Sequence, residues 1–294
     1  MAWSFALVID PAASDVARTD FADTFTVIDP TAPALSVGEL STQRGDGIFE
    51  SIGVVDGHPQ EVEAHLERFA HSAALCDLPA PHLGQWRQAV ATVADAAEPG
   101  ESVIKLILSR GVEHGPAPTA WATLAKAADN TWARSEGVRV VQLDRGYGVH
   151  ASVEAPWLLL GAKTLSYAVN MAAIREAKRR GADDAVFVSS DGFVLEGPTS
   201  SIVLRLGDVF VTPEPSGGIL HGTTQLSLFA FLEREGYRTE YRQVRPEDLA
   251  AADAAWLVSS IRLAAPIVSV DGADLTLDRD LTASINEYLL SPRD

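Results

Sequence analysis

Residues 48–55, Ile-Phe-Glu-Ser-Ile-Gly-Val-Val, run into Asp56-Gly57, and Pro59 follows. A β-branched, apolar run that stops at Asp-Gly reads as a strand entering a tight hairpin. A second such turn, Asp191-Gly192, lies between Ala185–Val188 and the long stretch Phe193–Leu206. Hairpins join antiparallel strands, so a purely parallel sheet is excluded. Outward from the first hairpin, residues 61–75 place Val62, Leu66, Phe69 and Ala73 at helical spacing, and residues 83–97 predict a second helix stopped by Pro99-Gly100. Strands are expected at Phe5–Asp10, Phe25–Asp29 and Val103–Ser109, with a further candidate at Trp121–Ala125. The pattern dissolves into Gly, Pro, Ala and Thr between Gly111 and Ser135, which sets a domain boundary near residue 130.

The second half restarts with Val138–Leu143 and Trp157–Leu160 as strands. Ser166 is placed to cap a helix over residues 167–180, closed by Gly181. Ser216-Gly217-Gly218 leads to a helix around Gln225–Arg234, then strands at Trp256–Ser259 and Pro266–Val270 and a last helix near Leu281–Leu289. The fold class is α+β, with domains at 1–130 and 131–294.

The formal charge of −17 disfavours phosphate backbones, and no basic patch offsets it, so no nucleic-acid partner is expected. The longest apolar stretches fall far short of the ~20 residues that span a bilayer, and Met1-Ala-Trp-Ser-Phe lacks a basic leader, so no membrane association and a cytoplasmic location are expected. A single cysteine, Cys76, excludes an internal disulfide. The histidines are scattered without zinc spacing, and no metal is assigned.

Four residues or short segments combine polarity with an unusual setting. Lys163 follows the apolar run Trp157–Ala162 and precedes a helix start, two conditions that lower an amine's pKa and let it form a Schiff base; a lysine that snorkels from a strand end is the plainer alternative. Glu196 interrupts an apolar and hydroxylic strand, where a buried carboxylate needs a partner and an edge position facing water would not. Gly222-Thr223-Thr224 opens a helix, which suits either a phosphate or an ordinary cap. Arg68 lies one turn beyond His65, as a phosphate clamp or a surface arginine. Neither a P-loop nor a Gly-x-Gly-x-x-Gly accompanies them.

In order, the segments Arg44-Gly-Asp-Gly-Ile-Phe-Glu-Ser51, His65-Leu-Glu-Arg68, Lys163-Thr-Leu-Ser-Tyr167 with Asn170, Gly181-Ala-Asp-Asp-Ala185, Glu196-Gly-Pro-Thr-Ser-Ser201, Gly218-Ile-Leu-His-Gly222-Thr-Thr and Val258-Ser-Ser-Ile261 resemble the fold-type IV pyridoxal-phosphate enzymes. That family holds the branched-chain and D-amino-acid aminotransferases and 4-amino-4-deoxychorismate lyase. The resemblance runs from about Gly38 to Gly272. It implies the two-lobed D-amino-acid aminotransferase-like architecture, pyridoxal 5'-phosphate as cofactor, a small-molecule amine or amino-acid substrate, and a homodimer with the active site near the subunit interface.

Carried over position by position, it implies that Lys163 forms the Schiff base and shuttles the proton. Glu196 would pair with the pyridine nitrogen, and Tyr167 would hydrogen-bond near the ring's phenolic oxygen. Arg68, Thr223, Thr224 and Ser260 would hold the phosphate. The family's Gly-Ile-Thr is Gly222-Thr223-Thr224 here, and its Thr-Gly-Thr is Val258-Ser259-Ser260, a change that bears on the substrate pocket. The Arg44–Ser51 segment resembles the lyase and D-amino-acid branches more than the branched-chain one, and Ala162–Asn170 with Trp256–Pro266 resembles the lyase, which releases pyruvate and 4-aminobenzoate for folate synthesis. A class IV aminotransferase acting on branched-chain or D-amino acids is the alternative. Ser109-Arg110-Gly111 continues as Val-Glu-His114, without the second arginine expected for a dicarboxylate, which leaves Arg110 and Arg262 as candidates for substrate charge. A non-catalytic cofactor carrier is disfavoured, because it would not need Lys163, Glu196 and Arg68 together.

Overall fold

The computed structural model describes residues 3–293, which form two compact units. The first comprises residues 3–128, 162–167 and 292–293; the second comprises Asp129–Gly161 and Ala168–Ser291. The division departs from a simple cut near residue 130 in two respects: the segment carrying Lys163 and Tyr167, and residues 292–293, belong to the first unit.

The first unit contains β1 (Trp3–Ile9), β2 (Phe25–Ile28), α1 (Leu40–Gln43), β3 (Gly47–Val55), β4 (His58–Pro59), α2 (Val62–Leu75), α3 (Leu83–Ala94), β5 (Glu101–Ser109) and β6 (Thr119–Lys126). Its strands form an antiparallel sheet in the order β2-β1-β6-β5-β3-β4. Asp56 and Gly57 both adopt positive φ, 49° and 83°, and turn β3 back onto β4, as the Asp-Gly pair predicts. Along β3 the alternate residues Ile48, Glu50, Ile52 and Val54 are buried, a period-2 core face with one carboxylate in it. Helix α2 buries Leu66, Phe69 and Ala73, and the Phe69 ring meets Trp86 of α3 edge-on at 4.7 Å between ring centres. Removing such a buried aromatic ring costs about 3–5 kcal/mol.

The second unit contains α4 (Thr131–Glu136), β7 (Val138–Asp144), α5 (Ala151–Glu154), α6 (Ala168–Arg179), β8 (Asp184–Val188), β9 (Ser201–Leu206), β10 (Val209–Pro213), α7 (Thr223–Arg234), β11 (Arg238–Arg242), α8 (Pro246–Ala250), β12 (Ala254–Ser259), β13 (Leu263–Val270), β14 (Ala273–Asp274) and α9 (Arg279–Leu290). Its mixed sheet runs β11-β10-β9-β12-β13-β7-β8, with β14 paired to β13. Alternation along the central strands feeds two cores. Ile202, Leu204 and Leu257 lie in one, while Val203, Phe210 and Trp256 join Leu228, Leu232, Ile285 and Leu289 of α7 and α9 in the other.

Three expectations are corrected. Trp157–Leu160 is not a strand: Pro156–Leu158 is a 3₁₀ turn, Trp157 is 75% exposed and Leu159 takes a left-handed φ of 53°. Pro156 fixes a helical φ and withholds an N–H, so this apolar run has no ladder to join. The helix expected over residues 167–180 begins at Ala168, and the Ser166 hydroxyl donates to the Gly45 carbonyl at 3.2 Å. Phe193–Leu206 is broken in two. Residues 193–196 pair back onto β8, Gly197 N donates to Ser200 O at 2.8 Å to close a turn around Pro198, and β9 starts only at Ser201.

Candidate active site

In the first unit, the stretch 163–165 lies antiparallel along the Gly47–Phe49 end of β3. The Phe49 N–H donates to the Lys163 carbonyl at 3.0 Å, the Leu165 N–H to the Gly47 carbonyl at 2.8 Å, and the Lys163 N–H to Ser72 Oγ of α2 at 3.1 Å. The approach requires a glycine at 47, where a Cβ would sit 2.9 Å from Leu165 Cδ1 and 2.8 Å from the Leu108 carbonyl. The lysine backbone is thus held by both strand and helix. Its Nζ lies 4.5 Å from the centre of the Phe49 ring and 5.8 Å from that of Tyr167, and those two rings meet edge to face at 5.4 Å. Sequence reasoning overlooked Phe49 and a second ammonium: Lys105 Nζ lies 5.7 Å from the same ring, and burial pushes its pKa down.

Arg68 faces the core side of β3. Its Nε and Nη2 each donate to Glu50 at 2.7 Å, and His65 Nδ1 lies 2.7 Å from Glu50 Oε2. Arg110, a candidate for substrate charge, is committed elsewhere. Its Nε donates to Asp46 Oδ2 at 2.8 Å, and its Nη1 and Nη2 donate to the carbonyls of Asp77 and Cys76.

In the second unit, α7 begins at a buried pair of threonines. Thr223 Oγ1 and Thr224 Oγ1 lie 3.4 and 3.3 Å from Ser260 Oγ, which stands in the turn between β12 and β13. The first N–H groups of a helix lack intrahelical acceptors and carry the positive end of its dipole, so three hydroxyls there could hold an anion. Gly222, the N-cap, has no room for a side chain: a Cβ would fall 2.3 Å from Ser201 Oγ. Glu196 is half-buried and accepts the Leu220 N–H at 3.2 Å. Burial raises the pKa of the nearby Tyr147 phenol, and the Glu196 charge adds to the rise against the opposing pull of Arg145. Tyr147 and Arg145 carried no motif and were not anticipated.

Arg262, the other candidate for substrate charge, forms an ion pair with buried Asp184 at 2.7 Å. The Arg262 and Ile261 carbonyls accept from Arg134 at 3.0 and 2.9 Å, so this arginine braces the turn that carries Ser260. Among the described residues, no group of three His, Cys, Asp or Glu side chains is placed to hold a metal ion, and no helix is long and apolar enough to cross a membrane.

The sequence profile of the amino-transferase class IV family matches residues 47–270. The chain belongs to the class IV aminotransferase family. It is 45% identical over 260 residues to a bifunctional aminodeoxychorismate lyase / D-amino acid transaminase of Mycobacterium tuberculosis, covering 85% of this chain and 90% of that protein. A fold IV transaminase from Curtobacterium pusillum superposes with a TM-score of 0.92 at 47% identity, covering 98% of this chain and 99% of that one. A hypothetical aminotransferase from M. tuberculosis with α-ketoglutarate and PMP bound matches at a TM-score of 0.87 and 42% identity, over 90% of this chain and 96% of that one.

Members of this class IV family depend on pyridoxal phosphate, and so does this chain. Its residues fit that group. The start of α7 brings three hydroxyls together at a helix N-terminus, the chemistry a phosphate takes, and a lysine with its backbone fixed by Ser72 places its Nζ beside two aromatic rings.

Proposed function

We propose that this class IV enzyme is an aminodeoxychorismate lyase that also transaminates D-amino acids. The observation that carries the reading is the 45% identity, across nearly the whole of both chains, to a relative bearing both activities. Both reactions begin with removal of a proton from the carbon that bears the amine, and the bound cofactor supplies the electron sink for that step. Lys163 attaches the cofactor, takes up the proton at Nζ and returns it. In the lyase direction the proton goes to the departing enolpyruvyl oxygen, releasing pyruvate and aromatic 4-aminobenzoate. In transamination it would go instead to the cofactor carbon that carries the amine, so that the substrate leaves as a keto acid and the amine stays for the acceptor. Glu196 would accept from the ring nitrogen and keep it protonated, while Tyr167 would hydrogen-bond the ring's phenolic oxygen. Arg68, Thr223, Thr224 and Ser260 hold the phosphate. The enzyme works as a homodimer, a reading supported by the exposed apolar side chains Val153, Trp157 and Leu158.

A second reading, aminotransferase alone, is favoured by the ion pairs that Arg110 and Arg262 already make, which leave neither arginine presenting an unbalanced charge to a dicarboxylate. The two are separated by supplying the cofactor-loaded protein first with aminodeoxychorismate, then with D-alanine and 2-oxoglutarate. Equal release of 4-aminobenzoate and pyruvate together with amino transfer is expected, both lost in Lys163→Ala, which also loses borohydride fixation of the cofactor. Amino transfer without 4-aminobenzoate would establish the second reading instead.

A further inference from the structure

Glu50 has the least exposure a carboxylate can have, 0%, and stands in the apolar stripe formed by Ile48, Ile52 and Val54. Burial alone would push its pKa up, but the Arg68 guanidinium and the His65 ring outweigh burial and hold it well below the usual carboxylate range. A carboxylate can only accept, so His65 carries its proton on Nδ1 and donates to Oε2. Burial pushes the His65 pKa down, so the ring is neutral and the cluster holds one negative and one positive charge. Arg68 Nη2 and His65 Nδ1 lie 3.4 Å apart as two donors sharing one acceptor. The Arg68 fork therefore has its orientation set by two parallel bonds to a buried carboxylate whose Oε2 is also held by His65. The same helix face carries Ser72, one turn beyond Arg68, whose hydroxyl receives the Lys163 N–H.

We propose that Glu50 and His65 are positioning residues that aim the Arg68 guanidinium at the cofactor phosphate, in fixed register with Lys163. The proposal rests on the reading of Arg68 as a phosphate ligand. A cluster serving stability alone predicts something different: a buried ion pair replaced by neutral groups can be neutral for folding and would treat all forms of the cofactor alike.

The test compares the affinity of the dialysed full-length protein for pyridoxal 5'-phosphate and for pyridoxal, which lacks the phosphate. Glu50→Gln is expected to weaken pyridoxal phosphate binding by about tenfold or more while changing pyridoxal binding by less than about twofold. Arg68→Ala should show the same selective loss, and the double variant should lose no more than Arg68→Ala alone. Glu50→Asp keeps the charge but shortens the reach, so it should also discriminate, and it serves if Glu50→Gln does not fold. An equal loss for both cofactor forms, or no loss, in a folded Glu50 variant beside a selective loss in Arg68→Ala overturns the positioning role while leaving Arg68 in place. No selective loss in Arg68→Ala overturns both, and moves the phosphate site off this residue.

Discussion

Glu50 and Glu196 are both carboxylates set in apolar sequence, and the structure treats them differently. Glu50 is wholly buried and ion-paired, whereas Glu196 is half-buried and accepts a backbone N–H from Leu220 at 3.2 Å. A charge partner for a ring nitrogen needs the second kind of setting. Glu196→Gln is therefore expected to retain the cofactor, read from its visible absorbance, while turnover falls by about two orders of magnitude; near-wild-type turnover would remove Glu196 from that role. Lys163, Glu196 and the Gly222-Thr223-Thr224 step stand out in the sequence as candidates because each sets polarity in an apolar or glycine-rich surrounding. Glu50 stands out in the same way as Glu196, as the charged member of an alternating Ile48, Ile52, Val54 face. Its partners were hidden, since Arg68 and His65 come from a helix 15 to 18 residues further along.

Elements whose apolar period was clean, β3 with its Asp-Gly turn and α2 and α3, were legible. Strand β6 was read only as Trp121–Ala125 although it runs Thr119–Lys126 between β1 and β5, because its alanines carry little strand preference and its burial comes from neighbours distant in sequence. Trp157–Leu160 failed for the opposite reason: local apolarity with no sheet to receive it. The pairing of residues 163–165 with β3 had no periodic signature at all, yet it positions the lysine. Gly47→Ala tests that pairing. The added methyl meets Leu108 O at 2.8 Å and Leu165 Cδ1 at 2.9 Å, so stability should fall by about 1–3 kcal/mol in denaturant titration and borohydride fixation at Lys163 should weaken. A Gly47→Ala protein with unchanged midpoint and unchanged fixation would mean that the close approach is not needed.

For the whole molecule, the Glu50–His65 cluster sets a direction for acid sensitivity. Burial holds His65 below its ordinary 6.5, so below that pH the unfolded chain binds a proton that the folded chain refuses. Glu50 is held below its ordinary 4.5, so a second proton favours the unfolded chain as pH falls through that range. Both shifts make stability greatest above about pH 6.5 and steadily lower beneath it. Urea midpoints measured from pH 8 to pH 4 should decline in that sense, and Glu50→Gln should flatten the lower part; a level profile in the parent protein would contradict the cluster's protonation. The first unit also draws on residues 162–167 and on Arg293, whose backbone and side chain bond Gln60 and Glu61. In chain order all six strands of that sheet precede both Lys163 and Arg293. Synthesis thus imposes an order: covalent capture of the cofactor must wait for Lys163, made after every strand of the sheet it packs with, and this unit is completed only with Arg293.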